Sequence, residues 1–146
     1  MLSEPRDAVE ALYREVVLDH YRHPRHRAPL QEPDATATVD NPVCGDQVRV
    51  QVRLTGGTVE EVAAQTRGCS IAVAAGSVMT ELVTGRAVDE IPRLRGALER
   101  IVEGENLSPD LDRRLRAFAG VARFPMRRRC ALLPWEALEA ALLGNG

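Results

Sequence analysis

Cys44, Cys69 and Cys130 are the residues of this chain with the most chemistry in them, and Asp46 stands two places after the first. Thiolates suit zinc and similar ions, and a carboxylate can complete a four-coordinate set. Cys44 and Asp46 lie in Asn41-Pro42-Val43-Cys44-Gly45-Asp46, where Asn-Pro and the following glycine predict a tight turn. Residues two apart in extended chain point to the same side, so the two side chains converge. Cys69 follows Gly68 at the start of a predicted helix, where the positive end of the dipole favours the thiolate. Cys130 comes directly after Arg127-Arg128-Arg129. Three thiolates and a carboxylate around a divalent cation carry a net charge of about −2, which the arginines would offset. The hard Asp46 oxygen would be the weakest ligand to a borderline-soft metal. The gaps of 25 and 61 residues match no short zinc motif. Spacing alone therefore leaves metal binding, thiol reactivity and core filling all open.

The elements that must position these residues follow from the hydrophobic pattern. Val9, Leu12, Tyr13, Val16 and Val17 recur at helical spacing and predict a helix over 7–21, with Asp7 and Glu10 as a capping box and Pro24 as its stop. Residues 22–33 read as a basic, proline-punctuated loop. Val48, Val50, Val52 and Leu54 then alternate with Gln47, Arg49, Gln51 and Arg53, the pattern of a strand with one buried face. Gly56-Gly57 predicts a hairpin turn, 59–66 the returning strand, and 36–39 an earlier one. The stretch 70–83 is small and apolar almost all round, so it is expected as a helix buried against the sheet, with Gly85 at its C-cap. Helical patterns fill 88–102, 110–119 and 135–143, punctuated by Gly104 and Ser108-Pro109. The expected fold is α+β: a small antiparallel three-stranded sheet with helices packed on one face, forming one domain over residues 1–146.

Composition narrows the function classes. A chain of 146 residues that is 45% hydrophobic and 27% charged can bury a proper core. A net charge of −2 and 3% aromatic residues argue against nucleic acid as partner. No apolar run approaches the roughly 20 residues that span a bilayer, and the acidic, amphipathic start does not read as a signal peptide. A cytoplasmic location is expected, where an odd cysteine count argues against a disulfide framework. His20, His23 and His26, in a basic, proline-broken region, are read as solvated or partner-facing rather than as ligands. Arg127-Arg128-Arg129 reads mainly as a solvated helix face, and Met79 and Leu82 as core.

Four separate segments carry a family resemblance over nearly the whole chain. Leu12-Tyr13-Arg14 through Asp19-His20-Tyr21 and Pro24-Arg25 resembles the opening helix and loop of the IscU/NifU-N-terminal family of iron–sulfur cluster assembly proteins. Asn41 to Asp46 resembles its N-P-x-C-G-D signature, Gly68-Cys69-Ser70-Ile71 its G-C-S-I segment, and Phe124-Pro125 through Cys130-Ala131 the region of its third cysteine. The SufU branch fits better than IscU. Arg129 stands where IscU-type scaffolds carry a histidine, and the charged stretch from about 86 to 116 matches an insertion typical of SufU. The resemblance implies that Cys44, Asp46, Cys69 and Cys130 bind zinc. It also implies that the protein accepts persulfide sulfur from a SufS-type cysteine desulfurase and hands it to a downstream iron–sulfur scaffold. Residues 19–27 would then belong to the desulfurase-facing surface. Ala72, Ala74 and Gly76 partly replace serines usual after the second cysteine, and His26 an asparagine. Pro134 suits the first turn of a helix, so the last helix is expected to be broken after Cys130.

On this reading Cys44, on an exposed turn, is the expected sulfur acceptor, and Arg129 the neighbouring charge that holds down the thiolate pKa values. Two alternatives use the same four residues: a scaffold that builds a [2Fe–2S] cluster on them, and an adaptor whose zinc is purely structural. A carboxylate ligand argues for lability over permanence, since closed structural sites mostly use Cys and His. A zinc hydrolase is disfavoured by the lack of an H-E-x-x-H or comparable acid–base pair.

Overall fold

The helical pattern at the front of the chain produces one unbroken helix in the computed structural model, which describes residues 4–105 and 110–144. It runs as α1 (Glu4–Leu12), a π-helical stretch Tyr13–Leu18, and α2 (Asp19–Arg22). It starts three residues before the expected cap at Asp7, whose side chain lies outside the described residues, and Pro5 fits its first turn. The residue before Pro24 leaves the helical region, so the helix stops there.

The strands follow the alternation closely. β1 (Ala35–Asn41), β2 (Asp46–Thr55) and β3 (Thr58–Arg67) form an antiparallel sheet in that order. Val50 lies opposite Ala37 and Ala64, and Val52 opposite Ala35 and Val62. Val48, Val50 and Val52 are wholly buried, each contributing roughly 1.5–3 kcal/mol through burial. Gly56 and Gly57 both hold positive φ, as a two-residue type I′ hairpin turn requires.

Helices cover that valine face as expected. α3 (Ser70–Val83) lies against β3, and its small residues let it sit close: a Cβ on Gly76 would come within 2.9 Å of Thr66 Oγ1. Met79 and Leu82 are buried core residues. After a 3-10 turn at Val88–Glu90 comes α4 (Ile91–Val102), an amphipathic helix that buries Ile91, Leu94, Leu98 and Ile101. The helix expected over 110–119 is shorter and later. Asp112 accepts the Arg114 N–H at 2.8 Å and caps α5 (Arg113–Arg116), which tightens into a 3-10 stretch, Ala117–Arg123. Ser108-Pro109 lies outside the described residues.

The last helix departs most from expectation. α6 (Arg128–Gly144) is continuous, with Pro134 in its interior rather than at its start. Cys130, Ala131, Leu133, Pro134 and Trp135 are all buried, and this packing against β1, β2 and α3 overrides the local preference for a break. Pro134 has no N–H to give the Cys130 carbonyl four residues back.

Irregular chain covers part of the other face and part of the β3 edge. Leu30 N–H donates to Gln51 Oε1 at 3.1 Å, and Ala64 N–H on the β3 edge donates to the His26 carbonyl at 3.0 Å. Val59 N–H does the same to the Arg86 carbonyl at 2.9 Å. An edge satisfied in this way offers no template for a foreign strand. Among the described residues no helix is long and apolar enough to cross a membrane.

Candidate metal centre

The turn that joins β1 to β2 is built by its own sequence. Asn41 pairs with Asp46 across the sheet end; its carbonyl accepts the Gly45 N–H at 2.8 Å, and its side-chain oxygen accepts the Val43 N–H at 3.3 Å. Gly45 takes φ +75° to close the loop. This leaves Cys44 exposed at the tip and sets Asp46, 2% exposed, as the first residue of β2.

β3 returns to the same end of the sheet. Cys69 caps α3, and its backbone N–H donates to Asp46 Oδ1 at 3.0 Å while its thiol lies 3.7 Å from Oδ2. Gly68 makes the approach possible: a Cβ there would fall 2.1 Å from Asp46 Oδ1 and 2.6 Å from its Cγ. Any side chain at 68 would push the carboxylate out.

Cys130, near the start of α6, closes the arrangement from the far end of the chain. Its Sγ is 3.8 Å from Cys44 Sγ, and ligand atoms of Cys44, Asp46 and Cys130 all lie within 4.8 Å of one another. Two thiolates each about 2.3 Å from a tetrahedral zinc sit roughly 3.8 Å apart, so the spacing suits that ion. Cys69 stands outside this tightest trio and adjoins it through Asp46. Burial pushes the Cys130 thiol well above its ordinary range, and Asp46, Cys69 and Cys44 beside it push the same way. Four acidic groups gathered in one partly dry space would be reconciled by a cation, which would take their thiols as thiolates.

The arginine expected beside the thiols is turned elsewhere. The Arg129 side chain is half exposed and its Nη2 lies 3.5 Å from Glu136 Oε1, so its charge is spent on the outer face of α6. Arg127 is exposed, and Arg128 is the partly buried member of the run. Tyr13 is raised by burial, lowered by the Arg127 guanidinium, and raised again by Cys69, so all three share one neighbourhood. The Tyr13 ring rests on Gly120, where a Cβ would come within 2.8 Å of it. The sequence marks Tyr13 as part of the Leu12-Tyr13-Arg14 motif and of a helical apolar stripe, with no signal that ties it to the thiols. Gly68 was visible as a helix-start glycine and as part of the Gly68-Cys69-Ser70-Ile71 motif, but not as the space for the Asp46 carboxylate.

His20 does not belong to the basic loop. It is buried on α2, its Nδ1 2.7 Å from Ser77 Oγ and its Nε2 3.4 Å from Glu81 Oε1. Arg25 and Arg114 also reach Glu81, at 3.7 and 3.5 Å, so one carboxylate on α3 gathers α2, the following loop and α5. His23 is exposed and pairs with Asp19 at 3.4 Å, and His26 pairs through its carbonyl alone, at the sheet edge. Around the thiols the surface is unexpectedly apolar: Val43 is 80% exposed and Met126 79%.

A carboxylate and three thiols converging at one end of a three-stranded sheet define a thiol–carboxylate centre on an α+β scaffold, of the kind suited to a thiophilic metal. The chain belongs to the NifU-like N-terminal domain family, whose model matches residues 12–143. It is 33% identical over 132 residues to the zinc-dependent sulfurtransferase SufU of Bacillus subtilis, covering 90% of this chain and 89% of that one. It is 35% identical over 132 residues to the iron–sulfur cluster assembly scaffold protein IscU of Streptococcus pyogenes, covering 90% and 82% respectively. Among solved structures, the N-terminal part of a nitrogen-fixing NifU-like protein from Brucella abortus superposes with a TM-score of 0.81 at 27% identity, covering 92% of this chain and 94% of that one.

Proposed function

We propose that the protein is a zinc-dependent sulfur acceptor in iron–sulfur cluster assembly, taking persulfide sulfur from a SufS-type cysteine desulfurase and passing it to a downstream scaffold. The observation that carries this reading is the convergence of Cys44, Asp46 and Cys130 within 4.8 Å, with Cys69 held against Asp46. These four residues would hold the ion. When bound, zinc keeps its thiols deprotonated and shielded from oxidation.

Cys44 is the acceptor on this reading. It is exposed at the tip of the hairpin loop while Cys130 is buried and Cys69 partly so, which leaves Cys44 the thiol a partner's persulfide reaches. Its thiolate attacks the outer sulfur of the partner's persulfide, a new sulfur–sulfur bond forms on Cys44, and the partner's cysteine leaves as a thiolate. Asp46, buried and held by the Cys69 N–H, keeps the carboxylate on the thiols instead of in solvent.

Intact mass after incubation with the desulfurase and cysteine, with iron absent, tests the reading. The zinc-loaded protein should gain a sulfur atom, and Cys44→Ala should gain none. No gain with an active desulfurase would move the assignment to a [2Fe–2S] scaffold on the same ligands, with the structural-zinc adaptor as the remaining case if iron does not load either.

A further inference from the structure

The 3.8 Å approach of Cys130 Sγ to Cys44 Sγ has a second consequence. Cys69 is differently placed, with its backbone N–H and its thiol both directed at Asp46. We infer that Cys130 is a resolving thiol for a persulfide on Cys44, and that the fate of accepted sulfur depends on whether a metal holds Cys130. The inference rests on the sulfur-acceptor reading above.

The step balances without an external oxidant. With sulfur on Cys44 as Sγ–SH, the Cys130 thiol gives its proton to solvent and attacks Cys44 Sγ. A bond forms between the two cysteine sulfurs, the bond to the outer sulfur breaks, and hydrosulfide leaves with the bonding pair. The outer sulfur is reduced to sulfide and the two cysteines are oxidised to a disulfide. A disulfide needs its sulfurs about 2 Å apart, so the pair must close by somewhat under 2 Å. Cys44 sits on an exposed loop tip, which can supply that movement, whereas Cys130 is fixed in a buried helix. Held by a metal, Cys130 is no longer free to attack, and the sulfur stays on Cys44 for transfer. With the metal gone, the same geometry turns the acceptor into a closed disulfide that has lost its sulfur and two of its metal-binding thiols.

The experiment loads sulfur onto the full-length zinc protein with the desulfurase, separates the two, and removes zinc with a chelator while far-UV circular dichroism confirms that the fold persists. Released sulfide is measured and disulfides are mapped by peptide mass. One sulfide per loaded chain and a Cys44–Cys130 disulfide are expected. Cys130→Ser should release sulfide at least about tenfold more slowly than the wild type, for want of a thiol already in place. Equal release from Cys130→Ser, retention of sulfur by the wild type, or a disulfide that includes Cys69 would each overturn the inference and leave the acceptor reading standing. Failure of sulfur to load at all would instead remove the acceptor reading, and this inference with it. If Cys130→Ser does not load, oxidation of the metal-free wild type with a thiol oxidant decides: Cys44–Cys130 pairing supports the inference, and any other pairing sinks it.

Discussion

At the scale of single residues, the centre depends on groups whose value is steric as much as chemical. Gly68 binds nothing, yet the Asp46 carboxylate occupies the space its side chain would need. Gly68→Ala should therefore weaken zinc binding by about 10–100-fold, as loss of a supporting contact to a ligand does, while the far-UV circular dichroism stays unchanged. Competition with a chromogenic chelator measures it, and unaltered affinity would show that Asp46 is not held by this contact. Cys44 and Asp46 were legible together because an Asn-Pro turn and a two-residue spacing act locally. Arg129 is a different case. Sequence adjacency to Cys130 does not set side-chain direction on a helix, and Arg129 turns to Glu136.

At the scale of elements, two helices carry buried features that a pattern reading treats as anomalies. His20 on α2 is kept below its ordinary 6.5 by burial and then by Arg25, with Glu81 pulling the other way. The unfolded chain thus takes up the proton more readily, so stability is full above about 6.5 and declines as pH falls through that value. Asp112, held low by hydrogen bonds from Arg114, also loses stability on acidification, but only below its ordinary 3.8. Urea midpoints compared between about pH 7.5 and 5.5 should drop for the wild type and much less for His20→Gln. An equal drop would mean that His20 is not the group responsible. In α6, Pro134→Ala restores a donor to the Cys130 carbonyl, worth up to about 3 kcal/mol in a helix interior. It also removes a buried ring that packs near Gly76, costing about 1–2 kcal/mol. A net gain of about 1 kcal/mol in urea unfolding is expected, and a net loss would mean that the ring's packing outweighs the missing bond.

At the scale of the whole molecule, the charged stretch after α3 is joined to the rest both by a core and by surface ion pairs, and the two should differ sharply in strength. Leu98 on α4 is wholly buried, so Leu98→Ala should cost about 2–5 kcal/mol. Arg123 reaches Glu10 at 2.9 Å across the surface, and Arg113 reaches Glu15. Arg123→Ala should cost less than about 1 kcal/mol, because solvent screens half-exposed pairs. Urea midpoints of the two variants decide, and comparable losses would mean that the ion pairs hold this region as firmly as its core does.

Read from the chain alone, the α+β class, the three strands with their glycine turn and the bounds of α3 were all within reach. Each rests on local physics: period-two and period-3.6 burial, turn chemistry, and motifs whose residues are close in sequence. What only the tertiary structure decided are the relations across long separations. Cys130 comes within 3.8 Å of Cys44 although the two are 86 positions apart in the chain. α6 runs through Pro134 because burial against the sheet outweighs one lost hydrogen bond. His20 leaves the solvent because Ser77 and Glu81 on α3 meet it from 57 and 61 positions away. Such contacts are selected by the sum of the packing, and no single segment contains the information that fixes them.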